Sequence, residues 1–360
     1  MNCFEATIEE NTIKSVSDLL RDGSLGFGAE VPKFEESFKA FSKKDYNIGI
    51  NSASSAAFCL FSYLYSKHGS CDVYTPSVGF TSPAWAAIAN GHNVYFLDVD
   101  ENLLVNFDSY WDIRRFHLER QFNTTFNKSV FMPVLYGGVS DISGLIEKVR
   151  GTNWNDIIVV DSAHCLQPKI DYDYAFFSFH PIKPLTMANG GLLATNDSEA
   201  DSYIRSYRNF GRENVGLSYD ITREGFNFYM NNINATIGLG QLESVQKNIN
   251  IRKSNYEYLK SELKDIGYFT RHDEDSSYYL STLILKAGLS STELRRKLIN
   301  KGAAASFHYP LLHKTKYYKD KCFNVGLKNS ESLEDRIINL PIHQNLTKQD
   351  LDKVIKTINE

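Results

Sequence analysis

Three short stretches of the chain put reactive groups where strands and helices meet. The first is NSASSAAFCLFSYL, in which Ser52, Ser54 and Ser55 stand at the start of an apolar helical run. Small hydroxyl residues there cap a helix. The same free N–H groups and the positive end of the helix dipole also bind phosphate. The second stretch is DIIVVDSAHC, where Asp161 ends an apolar strand and His164 follows three residues on. A carboxylate in that place is costly unless it has a partner. A metal, a protonated heterocycle, an arginine or a following helix start would serve, and His164 could be a second ligand. The third is FFSFHPIKPLTMANGG. Ser178 closes the strand YAFFS, and Lys183 stands in an apolar, turn-rich run with no acidic neighbour. Pro184 restricts the lysine's own backbone to extended forms. Such a lysine is either an ordinary loop residue or an amine whose pKa is lowered by burial and nearby positive charge. A neutral amine attacks aldehydes.

Taken together, the three stretches fit the fixed points of a pyridoxal phosphate site. That cofactor needs a lysine for its aldehyde, a carboxylate for its pyridinium nitrogen and an anion hole for its phosphate. In this reading Lys183 bonds the aldehyde and then serves as general base and acid. Asp161 keeps the ring nitrogen protonated, so that the ring accepts electrons. The residue types permit such a site without singling it out.

These groups need elements to hold them. The runs YNIGI, CDVYTP, NVYFLDVD, SVFMPVLYGG, DIIVVDSAH, YAFFSFH and GGLLATND alternate with helical stretches over the first two-thirds of the chain. Near-continuous apolar strands separated by helices predict an α/β fold with a mostly parallel sheet of about seven strands. Ligands of such sheets bind at the carboxyl ends of the strands. A long helix is predicted from about Ile233 to Leu263. Beyond it, SSYYLSTLILKAG and AAASFHYP read as strands, and SSTELRRKLINKG and TKQDLDKVIKTINE as helices. The expected organisation is a large α/β domain, 1–249, and a smaller C-terminal α+β domain, 250–360.

The bulk numbers exclude several classes. The 360 residues are 42% hydrophobic and 23% charged, enough for a sizeable core. With 39 basic and 43 acidic residues the net charge is -4, which leaves no footprint for nucleic acid or an anionic membrane. No apolar run reaches the ~18 residues of a membrane span, and the opening residues lack the order of a signal peptide. The five cysteines are scattered, without CxxC spacing for zinc. Free thiols in a reducing cytoplasm are expected, and no metal. No G-x-G-x-x-G follows the first strand, which disfavours a nicotinamide cofactor.

On these same residues the chain resembles the DegT/DnrJ/EryC1/StrS family of sugar aminotransferases, which have fold type I among pyridoxal phosphate enzymes. The resemblance runs from GSLGFGAEVPKFEESFKAF to NLPIHQNLTKQDLDKVIKTI. It implies that Ser54 and Ser55 open the phosphate-binding helix and that Phe80, in TPSVGFTSPAWAAIANG, stacks on the cofactor ring. It puts Asp161 at the ring nitrogen, His164 near the phenolic oxygen, Ser178 on the phosphate and Lys183 at the aldehyde. GFNFYMNNINATIGLGQLE is similar to a segment that reaches across a homodimer, with Asn227 contacting the phosphate in the other copy's site. His308 and Tyr309, in SFHYPLLHKTKYY, either line the sugar pocket or are structural. The implied reaction moves an amino group from L-glutamate to a keto group, at carbon 4, of a nucleotide-linked deoxysugar. Two alternatives are a dehydratase of the same fold, whose relatives carry histidine where Lys183 stands, and a non-catalytic cofactor-binding regulator. The sequence departs from the family pattern at Ser54, where glycine is usual, at Ser55, where threonine is usual, and at Asn189, where an acid is usual. The Ser54 change implies a differently shaped turn.

Overall fold

The computed structural model describes residues 1–120, 127–152 and 154–360. Helices α1 (Glu10–Asp22) and α2 (Glu30–Ser42) precede strand β1 (Tyr46–Ile50). The chain then alternates through α3 (Ala53–His68), β2 (Cys71–Pro76), α4 (Thr81–Ala89), β3 (Asn93–Leu97), α5 (Phe107–Arg120), β4 (Lys128–Phe131), α6 (Ser143–Gly151) and β5 (Ile157–Asp161). Strands β6 (Tyr174–Ser178) and β7 (Gly191–Thr195), helix α7 (Ser198–Tyr207) and the hairpin β8 (Arg212–Val215) and β9 (Ser218–Ile221) follow. Helix α8 (Asn232–Glu262) leads to β10 (Gly267–Phe269), β11 (Ser281–Leu285), α9 (Ser291–Asn300), β12 (Phe323–Asn324), α10 (Lys328–Ser332), β13 (Ile337–Leu340) and α11 (Lys348–Asn359).

Among the described residues the main sheet has eight strands, in the order β1-β7-β6-β5-β4-β2-β3-β12. Only β7 runs against its neighbours β1 and β6; the other pairs are parallel. The eighth strand adds to the expected seven. It is the two-residue β12, which comes from far along the chain to pair with β3. Two residues carry no periodicity, so nothing in the sequence marks it.

The sheet is covered on both faces, because alternate strand residues point opposite ways. Phe177 joins a core with α2, α5, α6 and the start of α8, whereas Phe176 joins one with α3, α4 and α7. Glu35 of α2 ties this layer together from a buried position. It accepts from Gly49 N–H at 2.7 Å, from Arg208 at 2.8 Å and from Arg205 at 2.8 Å.

A smaller antiparallel sheet, β10-β11-β13, packs with α9 and α11. Helix α8 is continuous through residues 249 and 250. Its Ala235 and Val245 pack on the main core and its Tyr256 and Leu259 on the small one. The expected strand in AAASFHYP is absent. Residues 303–310 make one isolated bridge, Ser306 to Asn339. The consecutive residues His308 and Tyr309 both line one cavity, which the alternation of a regular strand forbids. Among the described residues no helix is long and apolar enough to cross a membrane.

Candidate active site

The carboxyl ends of β5 and β6 and the start of α3 enclose a cavity of about 300 Å³, lined among others by Ser54, Phe80, Asp161, His164, Ser178 and Lys183. A larger groove, about 510 Å³, lies at the opposite end of these strands and is lined by Lys44, Arg150, Asp173 and Asp197. It is shallow, and Arg150 and Asp173 in it pair with each other at 3.3 Å. The chemistry-bearing residues converge on the smaller cavity instead.

Asp161 is fixed by strand geometry. Its N–H donates to Pro133 O and its carbonyl accepts from Leu135 N–H, both at 3.0 Å. One carboxyl oxygen accepts from Ala163 N–H at 3.0 Å. Burial pushes this carboxyl up to about 6, against the pull of that N–H and of Lys183. Lys183 sits in the β6–β7 loop, which folds back on itself through Phe179 N–H to Gly190 O, Met187 N–H to Phe179 O and Lys183 N–H to His180 O, each 2.9 Å. Its amine is buried, and burial lowers it to about 7 although Asp161 opposes the shift. The buried amine and the buried carboxyl therefore line one cavity.

The helix start is built as the sequence suggests. Ser52 caps α3, its Oγ accepting from Ser55 N–H at 3.1 Å and meeting Ser55 Oγ at 2.9 Å. Ser54 lines the cavity. Ser54 lies inside the helix and has no positive φ, so no glycine-shaped turn is needed there. The glycine that matters is Gly191, the first residue of β7. A Cβ there would collide with the backbone of Ser52 and Ala53. The apposition of β7 and α3 thus depends on a missing side chain.

His164 meets Tyr309 Oη through Nε2 at 2.7 Å, while its Nδ1 is buried without a hydrogen-bond partner. Burial holds the ring well below its usual pKa and hence neutral. Phe80 is 52% exposed beside this pair, its ring 6.0 Å from that of Tyr309. His308 is hydrogen-bonded to Ser306 at 2.9 Å, and burial lowers it to about 4. Ser178 and Asn189 also line the cavity. Asn227 does not. Its side chain is exposed, although its carbonyl accepts from Asn51, next to the start of α3, at 3.3 Å. The sequence reading missed Tyr279, whose ring lies 4.1 Å from Lys183 Nζ. No spacing rule marks one tyrosine of a pair at the head of an apolar strand.

A lysine and a carboxyl buried together beside a helix start are what enzymes that work through pyridoxal phosphate require. Among the described residues no cluster of metal-ligating side chains competes with that chemistry. The chain matches the DegT/DnrJ/EryC1/StrS aminotransferase family over residues 6–359 and belongs to it. It is 25% identical to the UDP-4-amino-4,6-dideoxy-N-acetyl-beta-L-altrosamine transaminase of Campylobacter jejuni, over 98% of this chain and 94% of that one. Its fold is similar to that of Helicobacter pylori PseC, an aminotransferase involved in the biosynthesis of pseudoaminic acid. That match has a TM-score of 0.86 at 22% identity and covers 99% of this chain and 97% of PseC. Streptococcus pneumoniae Spr1654, solved in its PLP-form, matches with a TM-score of 0.87 at 22% identity, over 99% and 97% of the two chains.

Proposed function

We propose that this protein is a pyridoxal phosphate-dependent aminotransferase that carries an amino group from L-glutamate to the 4-keto carbon of a nucleotide-linked deoxysugar. The observation that carries the reading is the buried Lys183 amine, lowered to about 7, in one cavity with the buried carboxyl of Asp161. Family membership and the Campylobacter jejuni relative support the substrate class.

The residues fit the cofactor. His164 Nδ1 is a buried polar atom without a partner, suited to an oxygen on the ring. The first turn of α3 offers N–H groups and Ser54 to a phosphate. Phe80 is a half-exposed aromatic that a flat ring would cover. Bound there, pyridoxal phosphate supplies an aldehyde and an electron sink. Lys183 Nζ would provide the neutral nucleophile and, once free, would carry a proton from the amino donor's carbon to the carbon that was the cofactor's aldehyde. An amine near 7 is well matched to both directions of that transfer. The Asp161 carboxylate would hold a proton on the ring nitrogen. Paired with that cation it ionises, although alone it is pushed up to about 6.

His308 and Tyr309 bring the part of the chain we assign to a small domain, 250–360, against the large one, 1–249. A second copy is expected to complete the site with Asn227. The exposed Asn227 and the exposed Val215, Leu217, Tyr219 and Ile221 of the β8–β9 hairpin favour such a homodimer. Histidine at the lysine position, which the dehydratase reading needs, is not present.

The test is an absorbance spectrum with pyridoxal phosphate, before and after L-glutamate and without sugar. A visible band that glutamate abolishes, and that Lys183→Ala never forms while its circular dichroism stays native, is the expected result. A band that ignores glutamate refutes the donor, and no band in the native protein refutes the cofactor.

A further inference from the structure

Tyr279 precedes β11 and is held there by its neighbours. Ser276 Oγ donates to Gly137 O at 2.5 Å, and Ser277 Oγ accepts from Leu166 N–H at 2.8 Å. These contacts press the segment against the loops that follow β4 and β5. Gly137 makes the approach possible. Its φ is +80°, and a Cβ there would lie 2.6 Å from His164 O and 3.0 Å from Tyr279 Cβ. The Tyr279 ring lies 4.1 Å from Lys183 Nζ and 4.5 Å, centre to centre, from the His164 ring. Phe4 of the N-terminal segment stacks on it at 5.3 Å and 19°. Its hydroxyl is buried with no hydrogen-bond partner. A buried hydroxyl without a partner is a cost, so what this side chain offers Lys183 is its ring and not its hydroxyl.

We infer that Tyr279 is a positioning residue for Lys183: its ring face holds the protonated amine in place between proton transfers, and Phe4 fixes the ring. The inference rests on the proposed reaction, in which Lys183 is free and charged for part of each cycle. The groups facing that amine are Asp161 from the end of β5, His164 beyond it, His180 in the amine's own loop, His308 from the 303–310 segment, and Tyr279. Asp161 alone carries an opposite charge, and that charge is committed to the ring nitrogen when the cofactor is bound. The three histidines, each with a pKa lowered by burial, add no attraction. The aromatic face is then the remaining group that favours the ammonium, and a desolvated cation over a ring is the stronger case of this interaction.

The test is competitive acetylation of Lys183 across pH, read by mass spectrometry on the full-length protein freed of cofactor. Tyr279→Phe keeps the ring and leaves the midpoint where it is. Tyr279→Leu lowers the midpoint by about one pH unit. 3,4,5-Trifluorophenylalanine at 279 keeps the shape, weakens the ring's negative face and lowers the midpoint relative to Phe. The fluorinated variant carries the test if Leu fails to fold or admits water. A midpoint unmoved by fluorination overturns the inference, as does a Phe variant that shifts as far as Leu. The midpoint is read without cofactor or substrate, so failure of the proposed reaction would show in the absorbance experiment and not here.

Discussion

Lys183 and Asp161 are each placed where burial works against their charge, and the cofactor-free protein is less stable for it. The sign follows from proton binding. Lys183 falls from its ordinary 10.5 to about 7. Between those values the unfolded state binds more protons than the folded one, so stability rises with pH through that window. The penalty is fully present below about 7 and gone above 10.5. Asp161 does the opposite. Raised from 3.8 to about 6, it favours the folded state at low pH, and that contribution is lost as pH rises through about 6. Removing the amine with Lys183→Met is therefore expected to stabilise the cofactor-free protein by on the order of 2–4 kcal/mol below about pH 6, where Asp161 is largely protonated. The gain shrinks toward alkaline pH. Denaturant titrations across pH measure it, and a gain that grows with pH would contradict the assignment.

At the scale of elements, the site depends on how closely β7 approaches the start of α3. Gly191 begins β7 directly against the backbone of Ser52 and Ala53. Gly191→Ala must push the helix start away, because both colliding partners are backbone and neither can rotate aside. The expected outcome is pyridoxal phosphate binding weakened roughly tenfold or more with the global fold kept, since displacing one charge-assisted contact costs about 1.5–3 kcal/mol. Equilibrium titration of the cofactor followed by its absorbance measures this. Unchanged affinity would move the phosphate away from α3. The serines of α3 and the aspartate at the end of β5 were legible in the sequence, because a cap and a strand end are local signals. The Gly191 contact was not, since the colliding residues lie on elements far apart in the chain.

For the molecule as a whole, the expectation is a two-fold homodimer with shared sites. The outward hairpin supports it, with Leu217 and Val215 exposed to solvent at its turn. Sedimentation is expected to give about twice the 41.0 kDa chain mass. If Asn227 serves the other copy, Asn227→Ala weakens cofactor binding and leaves the dimer intact. A stable monomer with full activity would overturn the shared site.

The alternation of apolar strands with helices determined the α/β class, because a strand buried on both faces must be continuously apolar. Asp161, Lys183 and the serines at 52, 54 and 55 stood out because each is a polar group at the edge of an apolar run, a local signal that marks a position without assigning its role. The tertiary structure alone decided the rest. It broke the expected strand at 303–310, so that His308 and Tyr309 both reach the cavity, and it brought Phe323–Asn324 to the edge of the sheet. It also stacked Phe4 on Tyr279 and set Tyr279 beside Lys183. These contacts join residues far apart in sequence. Local preference records what each segment tends to form, whereas such contacts arise only when separate segments compete for the same buried space.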